Sequence, residues 1–239
     1  MRRAFLHRLA AAAVCLAVGT ACQTPGSNEY DVEERLEDLL ARWETVREHG
    51  WTCEEDAPRE TPIVDCERIR RDLERLALEF PRSVPVLLAN AVIAQQTDRP
   101  ARSQMYLNAL FAIEAVHPDA AVLRARLALR DGNLRFARRL VDEQIELTPD
   151  HAGLREVRAA VCYLSGDLEG AQRDLAAAAS LGSPASRVAY HEGLVSEAAG
   201  RLDEARDHYA RALELDADAP RAASRLRGLE VDWTRRAVP

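Results

Sequence analysis

From residue 30 onward, apolar side chains return every three or four positions, the spacing that lays one stripe along a helix. Over 30–48 the stripe is Leu36, Leu39, Leu40 and Trp43; over 66–80 it is Ile69, Leu73, Leu76 and Ala77. The stretch 49–64 between them lacks a stripe and is rich in Pro and acidic residues, so 30–83 reads as a helical hairpin with an enlarged loop. Beyond residue 84 the stripes fall into a common register. Gly132, Gly166 and Gly200 stand 34 residues apart, and Leu134, Leu168, Leu202 and Ala137, Ala171, Ala205 keep the same step. Three columns at one period mark an internal repeat. Glycine supplies the left-handed backbone that ends a first helix. Alanine lets a second helix cross it closely. One hairpin cannot bury its own apolar face, so its neighbours must supply the core.

Numbered from the first helix, the units are 84–117, 118–151, 152–185 and 186–219. The last has Gly193, Ala205, Tyr209 and Ala212 at positions 8, 20, 24 and 27. Unit 152–185 has Ala159, Ala171, Leu175 and Ala178 there, and unit 118–151 has Ala125, Ala137, Val141 and then Gln144, with Pro149 at position 32. Unit 84–117 keeps Ala91 but puts Ser103 at position 20, and Pro100 opens its second helix. This pattern resembles the tetratricopeptide-repeat (TPR) family. The aromatic usual at position 4 is missing, with Ala121, Arg155 and Ala189 in its place. The resemblance covers 84–230 closely and 30–83 loosely. It implies an all-α fold: a right-handed superhelical array of helix hairpins (an α-solenoid), closed by a cap helix over 220–230 and followed by a loose tail, 231–239.

Composition changes this picture little: few aromatics, much Ala, Leu, Arg and Glu, all suited to helices. The basic residues are all Arg, and the formal charge is −7. Removing residues 1–21, which carry Arg2, Arg3 and Arg8 and no acid, takes it to −10. So acidic a chain does not present a broad basic face to nucleic acid. Residues 1–21 themselves read as an export signal, with a basic start and an apolar stretch, Leu9–Gly19, too short to span a bilayer. The run Val18-Gly19-Thr20-Ala21-Cys22 resembles the lipobox of bacterial lipoproteins, although Gly19 replaces the usual Leu. That resemblance implies lipidation of Cys22, a tether over 22–29, and, with Gln23 next, a periplasm-facing place on the outer membrane. An ordinary export signal, giving a soluble periplasmic or secreted protein, is the alternative.

Export to an oxidising compartment makes Cys53 and Cys66, which bracket the enlarged loop, a candidate disulfide. Cys162 falls in a core-facing column and reads as a small hydrophobe. Catalytic patterns are missing. His191-Glu192 lacks the second His of a zinc-protease helix, and no Gly-rich loop suits a phosphate. His117 and His151 share one repeat position and read as solvent-facing turn residues. The sequence calls for no cofactor and no metal, and the expectation is a protein that is not an enzyme.

In TPR arrays the first helices line a concave groove, and the resemblance places it at positions 2, 5, 9, 12 and 13. The candidate partner-binding residues there are Gln95, Gln96, Arg126, Arg130, Tyr163, Arg187, Tyr190 and Glu197, with Glu156 and Leu194 in the same columns. Arg and Tyr are enriched among binding hot spots. The Lys and Asn with which some TPRs clamp a terminal carboxylate, at positions 5 and 9, are absent. The expected function is a membrane-anchored scaffold that holds protein segments during assembly of an envelope complex, such as a pilus secretin or outer-membrane machine. An adaptor for peptidoglycan-remodelling enzymes is the alternative. A third reading, a cation or small-ligand binder, would use Glu54, Glu55, Asp56 and Asp65 in the loop.

Overall fold

The structure is a computed structural model; it describes the backbone of residues 25–48 and 66–237, and the side chains of 31–48 and 66–230. Those residues form eleven helices and no strand. They are α1 (Pro25–Glu48), α2 (Cys66–Glu79), α3 (Val84–Gln96), α4 (Pro100–Phe111), α5 (Pro118–Arg130) and α6 (Leu134–Leu147), followed by α7 (Ala152–Leu164), α8 (Leu168–Ser180), α9 (Ala185–Ala198), α10 (Leu202–Leu215) and α11 (Pro220–Ala237). The hairpins α3/α4, α5/α6, α7/α8 and α9/α10 follow one another along the chain from Val84 to Leu215. First helices also stack on one another, α5 on α7 and α7 on α9, which makes the array an α-solenoid.

The turns follow from the repeat columns. Gly132, Gly166 and Gly200 have φ of 73°, 81° and 76°. At each, the following amide reaches back to the helix, as Asn133 N does to the Ala128 carbonyl at 2.8 Å. Asp98 holds the same column in the first unit and is the one non-glycine residue with positive φ, 51°, among those described. Asn133 and Asp167 then cap α6 and α8 by accepting from the amides of Phe136 and Gly170.

The column at position 20 is fully buried in every unit. Ser103 is tolerated there because its hydroxyl donates to the Ala91 carbonyl at 2.8 Å. Gln144, where other units have Ala178 and Ala212, is satisfied too: Nε2 donates to the Ala115 carbonyl, and Oε1 accepts from His117 N. It thereby ties α6 to the junction between two units. Gly193 is needed because a Cβ there would lie 2.5 Å from Cε1 of the buried Tyr209 ring. The units with Ala at this position face it with the smaller Leu107, Val141 and Leu175.

At the N-terminal end, Leu36, Leu39 and Trp43 are buried, whereas Leu40 is 38% exposed at the edge of the stripe. The α2 stripe is buried as expected. Asn90 joins α2 to α3 by donating to the Leu73 and Val86 carbonyls. Two boundaries differ from expectation. Helix α1 starts at Pro25, so part of the expected tether is helical; proline's fixed φ suits a first helical turn. Helix α11 runs to Ala237 rather than residue 230, since no proline interrupts it before Pro239. The loop 49–64 lies outside the described residues.

Candidate functional site: the concave floor of α5, α7 and α9

The first helices bring together Arg126 of α5, Glu156 of α7 and Arg187 of α9, one residue from each of three successive units. Glu156 is 4% exposed, a carboxylate buried under two half-exposed guanidinium groups. Arg187 donates to its Oε1 through Nε at 3.0 Å, and Arg126 Nη2 lies 3.5 Å from Oε2. A buried carboxylate needs such partners, because desolvation of an unpaired charge is costly. Burial lowers the Arg126 pKa; Glu156 opposes that shift and the nearby Arg187 adds to it.

His191 stands beside this triad. Burial lowers its pKa; Glu156 pulls the other way, and Arg187, Arg126 and Arg221 reinforce the shift. The imidazole is therefore neutral near pH 7. Its ring meets Tyr190 edge to face at 5.3 Å, and Tyr190 lies 6.0 Å from Tyr209. Tyr209 donates its hydroxyl to Glu197 Oε2 at 2.6 Å, and Arg225 of α11 holds the other oxygen at 3.0 Å. Burial, together with Glu197, pushes the Tyr209 hydroxyl far above its ordinary range.

The expected groove residues thus divide. Arg126, Arg187 and Tyr190 converge on the floor. Glu197 is held by Tyr209 and Arg225, while half-buried Tyr163 packs against the α7/α8 core. Gln96 accepts from the Trp43 indole at 2.8 Å and fastens α1 to α3. Gln95 is half-buried with Oε1 unpartnered among the described residues. Arg130 lies at one rim and pairs with exposed Asp98 at 3.1 Å. Sequence reasoning placed Glu156 in the groove without seeing its two partners, and it missed His191, Arg221 and Arg225. Arg221 was findable: it follows Arg187 by 34 residues, one repeat step into α11.

The remaining candidates lie elsewhere. Cys22 and Cys53 fall outside the described residues, as do Glu54, Glu55, Asp56 and Asp65. Cys66 is buried at the start of α2. Cys162 is buried; Arg138 Nη1 donates to its sulfur at 3.2 Å, but burial raises the thiol pKa, which disfavours the nucleophilic thiolate. His117 and His151 are not merely solvent-facing. Each caps a helix by accepting on Nδ1, from Ala120 N and Leu154 N, and His151 Nε2 meets Asp119 at 3.1 Å. No group of described residues has a metal-binding arrangement, and no described helix is long and apolar enough to cross a membrane.

No protein-family model and no curated protein matches the sequence. Solved structures do match. TTC0263, a TPR protein of Thermus thermophilus, superposes with a TM-score of 0.65 at 16% identity, over 84% of this chain and 99% of that one. A TPR protein of Parabacteroides merdae gives 0.60 at 17% identity, over 86% and 81%. YrrB, described as a TPR protein with an unusual peptide-binding site, gives 0.50 at 11% identity, over 68% and 84%. Identity this low carries fold and no more. The chain has the tetratricopeptide-repeat fold, an α-solenoid of stacked helix hairpins.

Proposed function

We propose that the protein is a membrane-anchored scaffold that holds segments of other proteins in its concave groove during assembly of an envelope complex. The observation that carries the reading is the floor of α5, α7 and α9. There, two guanidinium groups remain nearly half exposed although both pair with Glu156, and half-buried Tyr190 keeps part of its ring open while it packs on the core of α9, α10 and α11. The likeness to YrrB, a peptide-binding TPR protein, supports a peptide ligand by analogy. The lipobox-like run ending at Cys22 supports the anchor, and a Cys53–Cys66 bridge would pin the loop outside the membrane. An adaptor for peptidoglycan-remodelling enzymes would use the same groove.

The test is crosslinking in intact cells through a C-terminal tag, comparing native protein with an Arg126→Ala, Arg130→Ala, Tyr190→Ala variant. Enrichment of one envelope complex that the variant loses is expected. Equal capture by both, or none, overturns the reading. Enrichment of a wall hydrolase or synthase instead selects the adaptor. An intact mass beginning at Cys22 with acyl chains attached is expected for membrane-extracted protein; an unacylated chain removes the anchor.

A further inference from the structure

The centre of the groove carries more positive charge than it needs. Arg126 and Arg187 share one buried carboxylate, Glu156, and each is nearly half exposed. Arg221, exposed at the start of α11, has no ion pair or hydrogen bond among the described residues, and it is close enough to act on His191. Two guanidinium groups therefore share one carboxylate, with Arg221 as a third cation near His191, which burial keeps neutral. Arg126 and Arg187 already repel each other. This cationic spot sits on a chain whose formal charge is −7. A local excess opposite in sign to the whole molecule marks where an anion is drawn in. Arg is also the side chain best shaped to grip a carboxylate through paired donors.

We infer that the Arg126–Arg187–Arg221 cluster is a carboxylate-recognition site, and that the groove takes an acidic segment of a partner protein, with Asp or Glu seated over Glu156 and an aromatic or aliphatic neighbour against Tyr190. The occupant is a protein segment, rather than a lipid headgroup, because half-buried Tyr190, one helical turn from Arg187, adds the open part of an aromatic ring beside the cations, a surface suited to side chains. This rests on the groove reading and specifies what the groove selects.

The test is selection of a random 12-residue peptide library on the immobilised full chain, followed by fluorescence anisotropy of the selected peptides. Expected are peptides enriched in Asp and Glu. Each should lose roughly 10- to 100-fold in affinity on Glu→Gln or Asp→Asn replacement in the peptide, or on Arg187→Gln in the protein. Arg221→Gln breaks no contact among the described residues, so it serves as the variant that cannot fail through misfolding; it should weaken binding and flatten its salt dependence. Selected peptides that are neutral or basic, yet lost on Tyr190→Ala, overturn the carboxylate assignment and leave the groove reading standing. No selected peptide, or peptides indifferent to every groove variant, overturns both. Arg-dependent binding of phosphatidylglycerol vesicles without peptide binding also overturns the assignment.

Discussion

At the scale of the residue, two positions test how the repeat is built. A Cβ on Gly193 would press into the buried Tyr209 ring. Overpacking of this kind costs about 1–3 kcal/mol, offset by up to ~1 kcal/mol of helix propensity. Gly193→Ala should therefore lower the denaturation midpoint. In the Gly193→Ala, Tyr209→Leu double variant the loss should be smaller than the sum of the two singles, since Ala159 and Leu175 already pair in the same columns; strict additivity would refute the contact. Asp98 is the second position. Its left-handed backbone suits glycine, as at Gly132, Gly166 and Gly200. Asp98→Ala should cost about 1 kcal/mol, whereas Asp98→Gly should cost nothing measurable, because the exposed pair with Arg130 contributes under ~1 kcal/mol. Chemical denaturation of the two variants side by side decides it.

At the scale of the element, polar side chains replace apolar contacts that the repeat pattern would supply. Position 4 of α7 is Arg155, not an aromatic. Arg155 lies 3.6 Å from Asp174 of α8, which is 6% exposed and held by Arg158 through two bonds of 2.6 and 2.7 Å. Arg158 also reaches Asp142 of α6. Asp174→Ala leaves Arg155 without its acidic partner and Arg158 with Asp142 alone, and should cost up to about 3–5 kcal/mol; a thermal midpoint near that of the native protein would show the network to be dispensable. The groove helices give a pH prediction. The fold favours neutral His191, so the unfolded chain takes up its proton first. Stability from this group is full above the unfolded value near 6.5 and falls as pH drops through it. His191→Gln should flatten the decline of melting temperature between about pH 7.5 and pH 5.5; an unchanged slope would exclude His191 as its source. These networks were hidden in the sequence because each joins residues from different helices. The 34-residue columns show which face a residue occupies, but not which charge lies opposite.

At the scale of the whole molecule, the solenoid was legible because repetition multiplies a weak local signal. The leucine column stands at the first residue of α6, α8 and α10, and a proline opens α4. Ends were harder: α1 and α11 have a neighbour on one side only, so no second copy sets their limits. The site was half legible. Columns put Arg126, Arg187 and Tyr190 on first helices, but Gln96 belongs to the α1–α3 joint, since no column reports the Trp43 indole beyond the array. Glu156 has one consequence for the array as a body. A solenoid is a spring, and this one has a clasp on its inner side, spanning three coils. Without the clasp's negative charge, two like charges face each other across the inside of the curve, and the spring should relax outward. Glu156→Gln should therefore raise the radius of gyration seen by small-angle X-ray scattering, with strong salt restoring it; an unchanged radius at low salt would mean that the curve is set by helix packing alone. A partner carboxylate entering the groove would tighten the same clasp, so grip and curvature would change together.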